Sequence, residues 1–227
     1  MKNVLLLGDV ILQTAVDEAN PSNFISQFTG TDLMLADGLK NKFNVIFVTK
    51  LPENHLGDAA LNILREKGFD CSYVKKMGQG TIGTCYFFDG KLSSINREKS
   101  VFANVKTFEF DYDKLVENAD IVVVKLATAE VTYKTLLVTL KLFKKARANG
   151  VKTVLDISND MVYDVKIARI NAERLLVNVD MAFGDEGSYK QLFGADVDYE
   201  RYLKDTFGVK NVVVATANTS LTDFLEE

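Results

Sequence analysis

The sequence predicts an α/β protein with a doubly wound, mostly parallel sheet, helices on both faces and a small β-sheet lid. Three observations lead to this fold class. Short apolar strands alternate with longer amphipathic segments, which is typical of a parallel sheet covered by helices. One stretch, residues 69–110, contains strand and turn signals with no helix between them. The length of 227 residues and the 47% of apolar residues suit one large domain with a substantial core.

In the first 70 residues, predicted strands and helices alternate regularly. The predicted elements are, in order, a strand over residues 3–12, a helix over 31–42, a strand over 43–49 and a helix over 56–67. Thr31 or Asp32 is placed to cap the first helix. The second helix carries apolar residues at i, i+3 and i+4 spacing, and Gly68 follows as the residue that ends it.

Residues 69–110 differ from the rest, because no helix separates their strand candidates. The candidates are 71–75, 82–88 and 91–96. Glycines and the Asp89-Gly90 pair, a common hairpin signal, lie between them. We therefore expect a small β layer, the lid, formed by approximately residues 12–28 and 71–110.

From residue 119 onward the alternation resumes. The predicted strands are 121–126, 151–157, 179–183 and 211–215, and the predicted helices are 131–148, 165–177, 187–193 and 199–207, with one further element over 219–226. In the helix over 131–148 we expect a buried face formed by Tyr133, Leu136, Leu137, Leu140 and Phe143. Residues 1–227 are thus predicted to form a single α/β domain with the lid as a subdomain.

Composition and charge exclude several classes of function. The chain has 27 basic and 31 acidic residues and no basic block, so it lacks the footprint of a nucleic-acid-binding protein. Its apolar runs are much shorter than the roughly 20 residues that span a bilayer. A strand-like run starts near the N-terminus, so we expect a cytoplasmic protein with no membrane partner. Because His55 is the only histidine, and Cys71 and Cys85 form no CxxC pair, cysteine–histidine zinc sites are excluded.

One glycine-rich segment bears on nucleotide binding. The letters of Gly78-Gln-Gly-Thr-Ile-Gly83 match the dinucleotide pattern GxGxxG. That pattern must open a helix, whereas here it leads into a predicted strand, so a turn is the better interpretation. The sequence contains no GxxxxGK[ST] phrase, which argues against P-loop nucleotide hydrolysis.

Parallel sheets of this kind bind ligands at the carboxyl ends of their strands. The small and polar residues at the predicted ends are Gly8, Asp9, Asp156, Ser158, Asn159, Gly184 and Asp185. Asp156, which ends an apolar strand, is the best single candidate. Its carboxylate could bind a hydroxyl, a metal ion or only a backbone N–H, and the residues alone leave these alternatives open.

A longer segment carries a resemblance to a known family. Val48-Thr-Lys-Leu-Pro-Glu-Asn-His-Leu-Gly-Asp-Ala-Ala60, with Leu64-Arg-Glu-Lys-Gly-Phe-Asp70 after it, resembles PfkB or ribokinase-type carbohydrate kinases, especially the 2-keto-3-deoxygluconate kinase branch. Further matches follow in order. Gly83-Thr-Cys-Tyr-Phe87 is similar to the lid strand of the family, Arg97 to its R…SA phrase, and Asp156 to the start of its D.N.R phrase. The resemblance covers the N-terminal two thirds of such kinases.

The resemblance implies a ribokinase-like fold and an ATP-dependent phosphotransferase that acts on a sugar or sugar acid of the 2-keto-3-deoxygluconate type. The residues that it implies as substrate-binding are Gly8, Asp9, Gly30, Tyr86, Arg97 and Asp156. Carboxylates would accept sugar hydroxyls, Tyr86 would cover a ring face, and Arg97 would pair with a sugar-acid carboxylate. Asp185 matches part of an N..E phrase, which implies a contact with ATP and Mg²⁺. A homodimer formed through the lid is also implied.

Several positions depart from the family pattern. The family's paired glycines are Thr29-Gly30 here, Met34 replaces an asparagine, Ser158 and Asp160 replace the Asn and Arg of D.N.R, and Ser188 replaces the acid of N..E. The GAGD phrase, which supplies the base and an anion-binding helix N-terminus in the family, does not occur in the 227 residues. We therefore identify no catalytic residue and expect no sugar phosphorylation at a normal rate.

Three functions remain open on the sequence. The first is a carbohydrate kinase by descent. The second is a non-catalytic, kinase-like module that binds a sugar or pairs subunits, which the altered residues motivate. The third is an unrelated Rossmann-like binding protein that would use Gly78 to Gly83. The specific match between Val48 and Ala60 favours the first two.

Overall fold

A six-stranded parallel sheet forms the centre of the molecule. The computed structural model describes residues 1–16, 23–158, 164–217 and 219–226. The strands are β1 (Asn3–Leu7), β2 (Ile11–Val16), β3 (Phe24–Thr29), β4 (Asn44–Val48), β5 (Lys50–Leu51), β6 (Lys75–Lys76), β7 (Gly83–Phe88), β8 (Lys91–Asn96), β9 (Ile121–Lys125), β10 (Lys152–Asp156), β11 (Met181–Asp185) and β12 (Asn211–Ala215). The helices are α1 (Thr31–Leu39), α2 (His55–Glu66), α3 (Tyr112–Glu117), α4 (Leu126–Ala129), α5 (Tyr133–Ala148), α6 (Val165–Leu176), α7 (Glu186–Phe193), α8 (Tyr199–Phe207) and α9 (Leu221–Leu225).

The strand order of the central sheet is β12-β11-β10-β9-β1-β4, and every neighbouring pair is parallel. The chain moves from β1 outward to β4 and then crosses to β9 on the other side of β1. This reversal makes the sheet doubly wound, as predicted. In sheets of this kind the reversal opens a crevice at the carboxyl ends of the strands.

Two apolar clusters fill the space between the sheet and its helices. On one face Leu5 and Val122 pack with α3, α5 and α6, and on the other Leu6 and Phe47 pack with α1 and α2. Alternate residues of each strand therefore enter opposite clusters. This explains why the strands form continuous apolar runs in the sequence, which is typical of parallel sheets covered on both faces.

The lid is a separate four-stranded sheet with the order β3-β2-β7-β8. β2 pairs antiparallel with β3 and parallel with β7, and β7 forms a hairpin with β8. The turn of this hairpin is Asp89-Gly90, with φ values of 52° and 66°. Positive φ at both positions is what a type I′ turn requires, so the hairpin signal in the sequence is confirmed.

The start of the lid differs from the prediction. The predicted strand over residues 3–12 is two strands, because the chain leaves the central sheet at Gly8 and enters the lid at Ile11. Residues 17–22 of the predicted lid lie outside the described residues, as do Asn159 and Asp160.

The second part of the predicted lid, residues 71–110, is also too long. Lys75 and Lys76 pair with β5 rather than with the lid. Residues 97–110 form turns, and Phe102 and Val105 are buried in the core cluster that packs against α3 and α5. The lid sheet is therefore restricted, among the described residues, to β2, β3, β7 and β8.

Helix α5 buries only part of the predicted face: Leu136 and Phe143 lie in the core cluster, and Leu140 packs against it partly buried. Tyr133 and Leu137 are exposed, whereas Thr135 and Thr139 are buried. Thr139 Oγ1 donates to the carbonyl oxygen of Thr135 at 2.9 Å, so its hydroxyl needs no solvent. Apolar periodicity missed these threonines because it does not count them as core residues. Among the described residues, no helix is long and apolar enough to cross a membrane.

The glycine-rich segment is a turn, as predicted. Gly78 and Gly80 lie between β6 and β7 with φ values of 81° and 153°. Glu53 N–H donates to the Gly78 carbonyl oxygen at 2.9 Å, and Gly78 N–H donates to Glu53 Oε2 at 3.1 Å. The segment leads into β7 and opens no helix, so it does not have the geometry of a dinucleotide site.

Candidate functional site

The crevice at the strand reversal holds a cavity of about 490 Å³ between the lid and the central sheet. Its walls come from β7 and β8, from the turn after β8, and from α4 and the residues after it. The lining residues are Thr84, Tyr86, Ser94, Ile95, Asn96, Arg97, Glu98, Lys99, Ala127, Glu130 and Val131. Of the residues predicted to bind substrate, Tyr86 and Arg97 lie directly on this wall.

Arg97 connects the cavity wall to Asp9, which follows β1. Arg97 Nε donates to Asp9 Oδ2 at 3.1 Å, and Nη1 donates to the Ala127 carbonyl oxygen at 2.9 Å. The exposed fractions of the Arg97 and Asp9 side chains are only 7% and 2%. Because an unpaired buried charge costs several kcal/mol, each group depends on the other. The structure thus brings these two predicted residues together as an ion pair.

A second buried carboxyl, Asp32, lies beside this pair. Its Oδ2 accepts hydrogen bonds from Asp9 N–H at 2.9 Å and from Thr128 Oγ1 at 2.5 Å. Thr128 Oγ1 in turn accepts from Arg97 Nη2 at 3.5 Å. The other oxygen, Asp32 Oδ1, is buried and has no hydrogen-bond partner among the described residues. A continuous network therefore joins Asp9, Arg97, Thr128 and Asp32.

Burial dominates the electrostatics of the two carboxyls. It raises the pKa of Asp9 from 3.8 to about 6, although Arg97 opposes this effect. It also raises the pKa of Asp32, again against the effect of Arg97. The charges of Asp9, Asp32 and Arg97 therefore influence one another, and the single guanidinium of Arg97 faces two carboxyls. This arrangement favours retention of a proton by the two carboxyls near neutral pH.

Gly8 and Gly30 let the backbone pass close to these carboxyls. A Cβ on Gly8 would lie 2.8 Å from Asp32 Cβ and 2.8 Å from Phe47 Cζ. Gly30 has a φ of 130°, and a Cβ there would lie 3.2 Å from the Asp9 carbonyl oxygen. Gly30 is also the N-cap of α1, with no side-chain cap, so the expectation that Thr31 or Asp32 caps this helix is wrong. The Asp32 side chain forms tertiary hydrogen bonds instead.

Asp156 forms a second buried ion pair at the carboxyl edge of the sheet. Lys125 Nζ donates to Asp156 Oδ2 at 3.0 Å, and Ser158 N–H donates to Asp156 Oδ1 at 2.8 Å. Asp156 is not among the described residues that line the cavity. Sequence reasoning missed Lys125, and the only signal for it was a charged residue directly after four apolar strand residues.

Glu130 adds a carboxyl to the cavity wall that sequence reasoning also missed. It follows α4, and Asn171 Nδ2 donates to its Oε1 at 3.2 Å. Burial raises the pKa of Glu130 from 4.5 to about 7, and the charge of Asp164 acts in the same direction. The wall therefore carries a carboxyl that is near the midpoint of its titration at neutral pH.

Asp185, the residue matched to the nucleotide phrase, ends β11 and does not line this cavity. Its Oδ1 accepts from Ser188 N–H at 2.9 Å, and its Oδ2 accepts from Ser188 Oγ at 2.6 Å. Oδ1 thus caps α7, and Oδ2 binds the side chain of Ser188. Partial burial acts to raise the pKa of Asp185, but the hydrogen bonds from Ser188 hold it below its ordinary value. In the described ranges, no group of three or more His, Cys, Asp or Glu side chains could hold a metal ion.

Comparisons with known proteins bear on the fold. No protein-family model matches the chain, and no curated protein matches it in sequence. A 2-dehydro-3-deoxygluconokinase from Thermotoga maritima matches with a TM-score of 0.82 and 22% identity, over 93% of this chain and 70% of that one. A PfkB family carbohydrate kinase from Listeria grayi has a TM-score of 0.80 and 20% identity, with coverages of 91% and 69%. A fructokinase with bound ATP from Xylella fastidiosa has a TM-score of 0.79 and 16% identity, with coverages of 96% and 69%.

Identities this low establish a shared fold rather than a shared activity. The parallel sheet flanked by helices and the separate small sheet agree with the expectation drawn from the segment between Val48 and Ala60. The chain therefore has the ribokinase-like fold of the PfkB carbohydrate kinases.

Proposed function

We propose that the cavity beneath the lid binds a sugar, and that this chain is the sugar-binding part of a carbohydrate kinase fold. The observation that carries the proposal is the placement of Tyr86 and Arg97 on the cavity wall with Asp9 directly behind Arg97. The cavity volume of about 490 Å³ lies within the range of small-molecule sites.

The chemistry of the wall suits a ligand with many hydroxyls. Glu130 Oε1 and Oε2 can accept O–H donors, and the guanidinium of Arg97 can donate to ligand oxygens. The Tyr86 side chain is about half exposed and presents an aromatic surface to the C–H side of a sugar ring. A sugar acid and a neutral keto sugar are both candidates, because the structural neighbours include a 2-dehydro-3-deoxygluconokinase and a fructokinase.

ATP and Mg²⁺ are suggested for this chain only by its neighbours, one of which contains bound ATP. Both carboxylate oxygens of Asp185, which the resemblance assigns to the nucleotide, already accept hydrogen bonds from Ser188. The described residues offer no cluster of three metal-ligating side chains. We therefore derive no catalytic step through a metal or a nucleotide.

A thermal-shift screen with sugars and sugar acids tests the proposal. A ligand at 100 times its dissociation constant stabilises the fold by about 2.7 kcal/mol, which raises Tm by several degrees. Tyr86→Ala should remove most of this rise. Tyr133→Ala is the matched control, because Tyr133 is exposed on α5 and does not line the cavity. The absence of a shift with every sugar and sugar acid would refute sugar binding.

A second candidate is sugar binding without phosphorylation. The specific observation in its favour is that the polar groups of Asp185 and Asp156 are occupied by protein partners, Ser188 and Lys125. We expect turnover with ATP and any stabilising sugar to stay below about 1 s⁻¹, the low end for kinases. A coupled assay on the 227-residue chain checks this, and faster turnover would exclude the second candidate.

We also propose that two copies pair through their lids. Outside the cavity wall, the lid exposes large apolar side chains on both faces of its sheet, namely Phe24, Ile25, Phe88 and Leu92. Exposed apolar side chains on a four-stranded sheet are typical of an association surface. Light scattering at micromolar concentration should give twice the monomer mass, and a monomer would contradict lid pairing.

A further inference from the structure

We propose that Glu130 binds an ammonium group of the ligand, so that the cavity takes an amino sugar or amino polyol in preference to its uncharged counterpart. This inference rests on the proposed sugar binding and narrows its ligand class. The resemblance to sugar and sugar-acid kinases does not suggest an amine. Two properties of the cavity wall do, namely the contacts of Glu130 and the distribution of charge around it.

The first step is that Glu130 brings to the cavity a carboxyl with no cationic partner. Glu130 is the C-cap residue of α4, is half-buried and lines the cavity. Among the described residues its side chain has one hydrogen-bond partner, Asn171 on α6, whose Nδ2 donates to Oε1 at 3.2 Å. An amide carries no charge, so it orients the carboxyl without neutralising it. Glu130 Oε2 accepts no hydrogen bond from this part of the chain, which leaves it for a donor of the ligand.

The second step is that the neighbouring cations bind elsewhere. Arg97, on the same wall, forms its ion pair with Asp9 at 3.1 Å. Lys134, in the first turn of α5, donates through Nζ to Asn104 Oδ1 at 2.8 Å. Across the described ranges, no lysine, arginine or histidine lies close enough to lower the pKa of Glu130. A cation for this carboxyl must therefore come from the ligand.

The third step is the charge around Glu130. Burial raises the pKa of Glu130 to about 7, and the negative charge of Asp164, the N-cap of α6, adds to this effect. At the rim Glu98 and Lys99 are exposed and of opposite sign, so they contribute little. Just above neutral pH most Glu130 carboxyls are ionised, and a bound ammonium would lower their pKa further. A half-buried carboxylate without a counter-charge favours a cation over a neutral group.

An amino sugar matches the wall at more than one point. Its ammonium can donate a charge-assisted hydrogen bond to Glu130, which is stronger than the ordinary bond that a hydroxyl forms in the same place. Its hydroxyls can accept from the two Nη hydrogens that Arg97 does not give to Ala127 and Thr128. Tyr86 remains available for the C–H side of the ring. The amine thus adds one interaction without removing those of the neutral sugar.

Isothermal titration calorimetry with matched ligand pairs at pH 7.5 tests the inference. The pairs are D-glucosamine and D-glucose, D-galactosamine and D-galactose, and 1-amino-1-deoxy-D-glucitol and D-glucitol, in each of which an ammonium replaces a hydroxyl. For any pair that binds, we expect the wild-type chain to prefer the amine by about tenfold, as one charge-assisted hydrogen bond provides. N-acetyl-D-glucosamine keeps the nitrogen but not the charge and should lose this preference. These measurements need no variant, so they stay decisive even where a substitution impairs folding.

The variant Glu130→Gln then assigns the preference to one residue. Glutamine keeps an oxygen for the hydrogen bond from Asn171 but removes the charge. We expect the preference for the amine to disappear, mainly through weaker binding of the amine. Glu98→Gln is the matched control, because it makes the same change at an exposed position of the same wall. It should alter the preference by less than about twofold, since solvent and salt screen an exposed charge.

The possible outcomes separate the two proposals. Equal or tighter binding of the neutral members by the wild-type chain would overturn this inference while sugar binding stands. N-acetyl-D-glucosamine that binds as tightly as D-glucosamine would show that the charge is not recognised. A preference that Glu130→Gln leaves unaltered, or that Glu98→Gln removes equally, would overturn the role of Glu130. Binding of no sugar, charged or neutral, would overturn sugar binding itself, and this inference with it.

Discussion

The carboxyl edge of the central sheet and the lid differ in what holds their side chains in place. At the carboxyl edge of the central sheet, which we call the floor, two ion pairs, Asp9 with Arg97 and Asp156 with Lys125, are almost fully buried and surrounded by hydrogen bonds. In the lid, large apolar side chains such as Phe24 and Phe88 are exposed. Geometry at the floor is thus fixed by the cost of leaving a buried charge unpaired. The lid has no comparable constraint and is suited to contacts with a ligand or a second copy.

The largest effect on stability should come from removing the charge of Arg97 at the floor. Arg97→Met leaves Asp9 buried without its cation, and we expect a loss of about 3–5 kcal/mol in the free energy of unfolding at pH 8. The loss should be smaller at pH 5, where Asp9 can take up a proton because its pKa is raised to about 6. Urea unfolding at both pH values measures this.

The matched control for that variant is Arg201→Met. Arg201 pairs with Asp205 on the surface of α8, so its loss should cost less than about 1 kcal/mol. Similar losses for the two arginines would show that the floor ion pair is not the dominant constraint.

The next largest effect on stability should come from the close packing around Gly8. Gly8→Ala places a Cβ 2.8 Å from Asp32 Cβ and Phe47 Cζ, and we expect a loss of about 1–3 kcal/mol. Gly38→Ala, on the exposed side of α1 with nothing within 4 Å of the new Cβ, should instead stabilise by about 0.5–1 kcal/mol. Thermal unfolding of both variants distinguishes them, and a stable Gly8→Ala variant would contradict the close approach.

The raised pKa values of Asp9 and Glu130 predict a pH dependence of stability. Each group is protonated in the folded state at pH values where it has ionised in the unfolded chain, so folding takes up protons. Stability should therefore fall as pH rises from 5 to about 7.5, by about 2–4 kcal/mol in total. Glu130→Gln should flatten the upper part of this decline. An increase of Tm over the same interval would contradict the burial of these carboxyls.

The smallest effect on stability should come from the lid. Phe88→Ser removes an exposed side chain and should change the free energy of unfolding by less than about 0.5 kcal/mol. If copies pair through the lid, the same variant should lower the apparent mass in light scattering. A large loss of stability without a change of mass would mean that Phe88 packs within its own chain.

Much of the fold was predictable because the central strands are apolar runs bounded by turn signals. The prediction for β12 agrees with the structure at both ends, Asn211 and Ala215. The split between β1 and β2 was not predictable, because Val10, Ile11 and Leu12 continue the apolar run past Gly8. Only the tertiary structure decides that the chain leaves one sheet and enters another.

The candidate site was only partly predictable. Asp9 and Arg97 were identified separately, but their pairing joins residues 88 positions apart. Asp32 looked like a helix cap, because acidic residues are common in the first turn of a helix and local sequence cannot reveal its contact with Thr128, 96 positions away. Lys125 and Glu130 escaped notice for the same reason, since their roles depend on neighbouring elements of the fold.

The position of the Asp9–Arg97 pair has a mechanical consequence. Asp9 lies where the chain enters the lid, two residues before β2, and Arg97 lies where the chain leaves it, directly after β8. One ion pair therefore joins two of the four chain segments that connect the lid to the rest of the molecule, namely those before β2 and after β8. A ligand that drew Arg97 away from Asp9 would remove this connection, so we expect binding in the cavity to change how firmly the lid is held.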